Sequence, residues 1–201
     1  MVVTISNLYG SGALAIAQAL ADRLRYEYVD EQLPVVVAKR LRTTPQAVES
    51  AEDVTPSVGE RMLRGLELGT PELSSRQDTP TFDEVCLREV QEAVREFAAA
   101  GNAVIVGRGA HAILGRRRDV LRVFMFAPLE WRIERIVVDL GADRKTAAAE
   151  VERIDKARRE YIRHYYNFDW RDAHNYDLAI DTSSFSTEAV VDIIAAAVEN
   201  R

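Results

Sequence analysis

Val2-Val3-Thr4-Ile5-Ser6-Asn7-Leu8-Tyr9-Gly10-Ser11-Gly12-Ala13 is the stretch whose reading decides the fold. Val2–Ser6 is short, apolar and rich in β-branched residues, as a strand covered on both faces should be. Gly10-Ser11-Gly12 then turns the chain. Beyond it Leu14, Ala17, Ala21 and Leu24 recur on one helical stripe. A strand, a glycine turn and a helix in that order aim backbone N–H groups and the positive end of a helix at an anion. A plain strand-to-helix turn also favours glycine, so the phosphate reading draws its weight from residues further along the chain.

Working outward, the 201 residues suffice for one domain with a helical insertion and a real core. Apolar residues make up 47% and charged residues 29%, the balance of an ordinary soluble globular protein. The formal charge of −6 argues against a nucleic-acid partner, which selects for a basic surplus. Cys86 is the only cysteine, so no intramolecular disulfide forms and a cysteine-based zinc site is implausible. A reducing cytoplasm is the expected compartment. No apolar run reaches membrane-spanning length, and no membrane partner is expected.

Short apolar runs at Tyr26–Val29, Ala103–Val106, Val120–Ala127 and Tyr176–Asp181 read as further strands. Helical patterns occupy Glu31–Leu41, a short segment from Pro45, Ser57–Leu68, Phe82–Ala100, Pro128–Leu140, a long segment from Asp143 to Tyr166, and Ser186–Val198. Gly69–Pro80 is polar, carries two prolines and reads as a mobile loop. Strands alternating with helices predict an α/β fold, a parallel sheet sandwiched by helices. The helical stretch at about 31–81 is expected to be an inserted acceptor-binding region. Residues of about 143–176 are expected to form a lid.

The candidate site residues divide by chemistry. Asn7, Tyr9, Gly10, Ser11, Gly12 and Ala13 form the candidate phosphate cradle. Gly107-Arg108-Gly109 ends a strand, where an open α/β sheet binds its ligands, and an arginine there can grip a phosphate. Arg132 and Arg135 are three apart and share one helical face. Arg153, Asp155, Arg158, Arg159 and Arg163 come later, on the long helix, where a set of arginines can neutralise a phosphoryl group in transfer. Asp30 and Asp155 are carboxylates for orienting a nucleophile or pairing with arginine. Solvated ion pairs such as Glu152 with Lys156 are the competing use of such a helix. The dense aromatic set Tyr161, Tyr165, Tyr166, Phe168, Trp170 and Tyr176 favours core packing over stacking a base. His111, His164 and His174 lack zinc spacing, and no metal-ligating residue is assigned. Ser6 and Ser11 have no evident histidine partner, which argues against a hydrolase triad.

Several segments together resemble the cytidylate kinase-like family of P-loop nucleoside monophosphate kinases. They are Ile5-Ser6 with Gly10-Ser11-Gly12, Tyr28-Val29-Asp30, Val104-Ile105-Val106-Gly107-Arg108-Gly109-Ala110, Arg132 with Arg135, Asp155-Lys156-Ala157-Arg158-Arg159-Glu160-Tyr161, and Asp169-Trp170 with Asn175-Tyr176-Asp177-Leu178. The resemblance implies a P-loop NTPase-type five-stranded parallel sheet, ATP with Mg2+ at the glycine loop, and an acceptor monophosphate near Asp30 and Arg108. It implies a lid carrying Arg153, Arg158 and Arg159, with Asp155 beside them in the catalytic set. Arg132 falls near the nucleotide or the lid hinge. The glycine loop departs from the family. Against the Walker A pattern G-x-x-x-x-G-K-[ST], aligned on Gly12, Asn7 stands at the first glycine, Ala13 at the lysine and Leu14 at the hydroxyl that would hold magnesium.

Two readings compete. The first is an enzyme that transfers the γ-phosphoryl group of ATP to a nucleoside monophosphate or similar small acceptor. The second is a kinase-fold protein that senses a nucleotide or holds a partner without turnover, which the altered loop favours. A homodimer built on residues 41–81 is a third idea.

Overall fold

The computed structural model describes residues 1–30, 32–53, 81–167 and 169–201. Its five strands form one wholly parallel sheet: β1 (Val2–Asn7), β2 (Glu27–Val29), β3 (Ala103–Val106), β4 (Val120–Phe126) and β5 (Leu178–Asp181), in the order β2-β3-β1-β4-β5. β1 is the middle strand and is buried along its whole length, which explains its unbroken apolar run. It pairs with β3 from Val2↔Ala103 to Ile5↔Val106, and with β4 from Val2↔Val120 to Asn7↔Met125.

Helices cover both faces. On one face α1 (Ala13–Leu24) and α8 (Thr187–Glu199) bury Ile16, Leu20, Val190 and Ile194 against Val3, Ile5 and Val123. On the other face lie α2 (Gln32–Leu41), α3 (Pro45–Asp53), α4 (Phe82–Ala100) and the short α5 (Ala110–Leu114). Leu33, Val37, Val48, Val90 and Val94 pack there on Val29 and Ile105. Two further helices, α6 (Leu129–Leu140) and α7 (Arg144–Tyr166), join through Ile133, Ile136, Ala147 and Val151. A one-turn 3-10 helix, Ala173–Asn175, precedes β5.

The neighbouring strands β1 and β3 send their chains to opposite faces, β1 into α1 and β3 into α5. A crevice therefore opens beyond their carboxyl ends, where α/β sheets bind ligands. Side-chain caps set several helix starts. Asp143 accepts the amides of Lys145 and Thr146, Ser186 accepts that of Ala189, and Thr81 with Glu84 forms a reciprocal capping box. The strand expected from Tyr176 begins at Leu178, because the Tyr176 N–H closes the preceding 3-10 turn on the Ala173 carbonyl while its ring packs with Phe124, Trp170 and Ile162. The helix expected over Ser57–Leu68, the loop over Gly69–Pro80, Glu31 and Phe168 lie outside the described residues.

Candidate functional site

The glycine loop is bent by two left-handed residues, Gly10 at φ 79° and Gly12 at φ 77°. Both are also places where α6 comes close. A Cβ on Gly10 would lie 3.0 Å from the Arg132 carbonyl oxygen, and one on Gly12 would lie 2.8 Å from the Arg135 guanidinium. Only glycine fits such contacts at such angles. Two loop amides are already spent: Tyr9 N–H donates to Asp155 Oδ1 at 2.9 Å, and Ser11 N–H to the Leu8 carbonyl at 3.2 Å. The amides of Gly10, Gly12 and Ala13 donate to no carbonyl among the described residues, and they adjoin the N-terminus of α1. Free N–H groups at a helix N-terminus can bind an anion, and the Arg135 guanidinium lies beside Gly12. Arg135 is held beside Asp139 at 3.5 Å and over the Trp131 ring at 5.6 Å.

Behind the loop sits a buried knot. The Arg132 guanidinium donates to Asp155 Oδ2 at 2.8 Å, to the Tyr9 carbonyl at 2.9 Å and to the Ala127 carbonyl at 3.1 Å. Its side chain is 5% exposed and that of Asp155 6%. Arg171 reaches the same Asp155 oxygen at 3.4 Å. Asp155 thus binds an amide and two guanidinium groups at once, and Tyr9 is gripped through both its N–H and its carbonyl. Asp155, expected in the catalytic set, and Arg132, expected at the nucleotide, both lie in this knot behind the loop and bond to Tyr9.

In front of the loop lies a cleft of about 360 Å³. Asp30, Arg108, Arg153 and Arg158 line it, three cations and one carboxylate gathered from β2, β3 and α7. Arg158 donates to the Asn7 carbonyl at 2.8 Å, and its guanidinium lies 5.9 Å from the Tyr9 ring centroid. Burial lowers its pKa from the usual arginine value, while Asp155 and Asp30 act in the opposite sense. Tyr28 donates its hydroxyl to Asp30 at 3.2 Å. Arg108 adopts φ 53° between Gly107 and Gly109, both at φ 69°, a left-handed run that carries its side chain to the cleft. Gly109 packs so tightly that a Cβ there would lie 2.7 Å from the Tyr166 ring.

Of the residues expected to act together, Asn7, Asp30, Arg108 and Arg158 do line one cavity, and Arg153 joins them. Arg153 also pairs with Glu150 at 2.8 Å. Arg159 is exposed on α7 and is not among the cleft-lining residues. Lys156 faces Glu160 at 4.0 Å rather than the expected Glu152. Ser11 is buried; its carbonyl accepts from Thr182 Oγ1 at 2.7 Å, and its own hydroxyl meets no partner among the described residues. Leu14, 53% exposed, takes the position of the metal-holding hydroxyl and lines the cleft with hydrocarbon. No group of three or more His, Cys, Asp and Glu side chains converges among the described residues. The residues present at the loop therefore do not fit a protein-held magnesium ion, whereas its free amides fit a phosphate.

One cluster escaped the sequence reading. Ser6 does have a histidine partner: its Oγ lies 2.9 Å from His111 Nδ1, in the cleft wall. His111 Nε2 faces the Tyr176 hydroxyl at 3.4 Å, and that hydroxyl donates to the Trp170 carbonyl at 2.8 Å. Burial, aided by the Arg122 cation, pushes the His111 pKa down to about 4, so the ring is neutral near pH 7. Burial also raises the Tyr176 phenol, with the nearby Ser6 hydroxyl opposing it. No spacing signal joins Ser6 to His111, which lie on different elements and meet only because β1 and β3 are neighbours. Trp170 and Tyr161, expected to pack the core, also line the cleft.

Comparison with known proteins adds a lineage to this geometry. The model of the cytidylate kinase-like family matches residues 2–184. The cytidylate kinase of Methanocaldococcus jannaschii is 28% identical, over 100% of this chain and 98% of its own. That of Natronomonas pharaonis is 30% identical, over 98% of this chain and 89% of its own. Among solved structures, a protein from Eubacterium ventriosum superposes with a TM-score of 0.73 at 20% identity, covering 100% of this chain and 99% of that one. Shikimate kinase from Bacteroides thetaiotaomicron gives 0.51 at 15% identity, over 99% and 98%. At these identities the two solved structures speak to the fold alone.

Proposed function

The chain belongs to the cytidylate kinase-like family, and from that premise we propose that it binds a nucleoside triphosphate at the glycine loop and transfers a phosphoryl group to a nucleoside monophosphate or similar small phosphate ester. The observation that carries this reading is the cleft, where Arg108, Arg153 and Arg158 meet Asp30 directly beside the loop. Three guanidinium groups can neutralise an acceptor phosphate, and Asp30 can take a hydrogen bond from the acceptor's other end. The amides of Gly10, Gly12 and Ala13 and the N-terminus of α1 hold the donor phosphates, and Arg135 supplies the cation that Ala13 lacks. Magnesium, which the kinase relatives imply, would be carried by the nucleotide's own phosphates.

Loss of a cation aimed at a phosphoryl group in transfer costs on the order of a thousandfold in rate. The substitutions at residues 13 and 14 therefore favour a second reading, a protein that binds nucleotide and does not turn it over. Incubation with ATP, magnesium and a panel of monophosphates, beside nucleotide-dependent thermal stabilisation, separates the two. Turnover that Arg158→Ala abolishes supports the enzyme. Stabilisation without turnover supports the sensor, and a melting curve indifferent to every nucleotide defeats both.

A further inference from the structure

Ser6 and His111 line the cleft, Tyr176 bonds to His111, and this chain takes no part in the phosphate contacts above. The shortest of its contacts assign its hydrogens, the Ser6 hydroxyl lying close to the Tyr176 phenol as well as to His111. The Trp170 carbonyl can only accept, so the Tyr176 hydroxyl donates to it at 2.8 Å. That leaves the phenol oxygen to accept from His111 Nε2. A neutral imidazole with its proton on Nε2 offers a lone pair at Nδ1, and the Ser6 hydroxyl donates to it at 2.9 Å. Ser6 then has no proton left for the cleft. It faces the ligand as an acceptor.

From this geometry we propose that Ser6 is a ligand-recognition residue: its oxygen, oriented by His111 and Tyr176, accepts a hydrogen bond from an N–H or O–H group of the monophosphate in the cleft. His111 is a positioning residue, which acts only through Ser6. The pair does not form a nucleophilic dyad. The ring's second nitrogen is backed by a phenol and not a carboxylate, and a buried neutral imidazole of depressed basicity is a poor proton acceptor near pH 7. The inference deepens the acceptor half of the proposed function and rests on it. It also separates ligands that the arginines treat alike, because every monophosphate satisfies Arg108 and Arg158 but only some place a donor against Ser6. A site with a fixed acceptor rejects a ligand that presents another acceptor, since both then lose their bonds to water.

Two measurements test it. The first is the nitrogen-15 NMR spectrum of His111 in the unliganded protein, assigned by comparison with His111→Phe. The Nε2–H tautomer is expected. The Nδ1–H tautomer would make Ser6 a donor to the cleft and overturns the assignment. The second is calorimetric binding of cytidine, uridine and 2′-deoxycytidine 5′-monophosphates to wild type and to Ser6→Ala. The first two differ in where the base carries its donors, and the third lacks one hydroxyl. Wild type is expected to disfavour at least one of them by about two- to tenfold, the worth of one hydrogen bond. Ser6→Ala is expected to erase that difference while keeping the weaker ligand's affinity. Equal wild-type affinities across the set, or a preference that survives Ser6→Ala, overturn the assignment. If wild type binds none of the three, the acceptor reading itself has failed, a result distinct from either of these. A melting curve of unliganded Ser6→Ala, expected to show one cooperative transition at a lower temperature because His111 Nδ1 loses its Ser6 partner, confirms that the variant is folded.

Discussion

Replacing Asp155 by Asn isolates the charge that holds the glycine loop. The amide is nearly isosteric and keeps an oxygen for the Tyr9 N–H, now 2.9 Å from Oδ1. It removes the negative charge beside Arg132, whose side chain is 5% exposed. Arg132 keeps its bonds to the carbonyls of Tyr9 and Ala127 but becomes a buried cation without a counter-ion. Breaking a buried pair from one side costs about 3–5 kcal/mol. Arg171, 43% exposed and 3.4 Å away, contributes little to that figure because water screens it. In a chain of this size each kcal/mol moves the melting point by about 2–4 °C, so Asp155→Asn should lower it by roughly 6–20 °C. Urea titration and thermal melting of wild type, Asp155→Asn, Arg132→Met and the double variant Arg132→Met/Asp155→Asn form the assay. The double variant, with both charges gone and an acceptor kept for the Tyr9 N–H, should recover part of the loss. A single-variant cost below about 1 kcal/mol, or losses that simply add in the double variant, would refute the knot as the loop's support.

Arg108→Gly should stabilise the fold by roughly 1 kcal/mol, because it relieves a left-handed arginine, while monophosphate binding is lost; chemical denaturation and calorimetry read the two effects. Gly109→Ala should destabilise by more than about 1 kcal/mol in urea titration, since its Cβ would meet the Tyr166 ring at 2.7 Å. The depressed His111 pKa makes stability fall on mild acidification: the unfolded chain takes up a proton near its ordinary 6.5, the folded one only near 4. The contribution is whole above pH 6.5, is lost between 6.5 and 4, and amounts to about 3 kcal/mol; the urea midpoints of His111→Phe should lack that slope. Asp177 is held at about 2: burial alone would raise it, but hydrogen bonds from Arg122 and Arg201 outweigh that. Its contribution is present above the ordinary carboxylate pKa and disappears as pH falls toward 2, so Asp177→Asn should flatten the acid limb of the same titration.

The fold was legible because β1 announces itself. An unbroken apolar run ending in Gly-Ser-Gly leaves few alternatives to a central parallel strand feeding a helix, and Gly101-Asn102, Asp143 and Ser186 mark helix ends by their own chemistry. The site was legible in part. Asp30 and Arg108 fall at strand ends, and Arg158 lies on the expected helix, so topology alone brings them near the crevice. What a string of residues withholds is which way a charged side chain turns. Arg132 and Arg135 share a helix face, yet one is buried against Tyr9 and the other lies over Gly12. Asp155 and Arg158 are neighbours on α7, yet one is sealed behind the loop and the other reaches the cleft. Contacts across more than a hundred residues, such as Ser6 with His111, leave no periodic trace.

The clasp on Tyr9 has an evolutionary corollary. A loop that owes its form to its own lysine and to the phosphate it grips would slacken once that lysine went. Here the bend is remembered elsewhere, by Asp155 on the N–H and Arg132 on the carbonyl of a single residue, Tyr9. The exposed position 14 is thereby released from any duty in shaping the bend and can change as the chemistry demands. The same scaffold can discard or regain its charged tools by single substitutions, without first having to reinvent the curve that presents them.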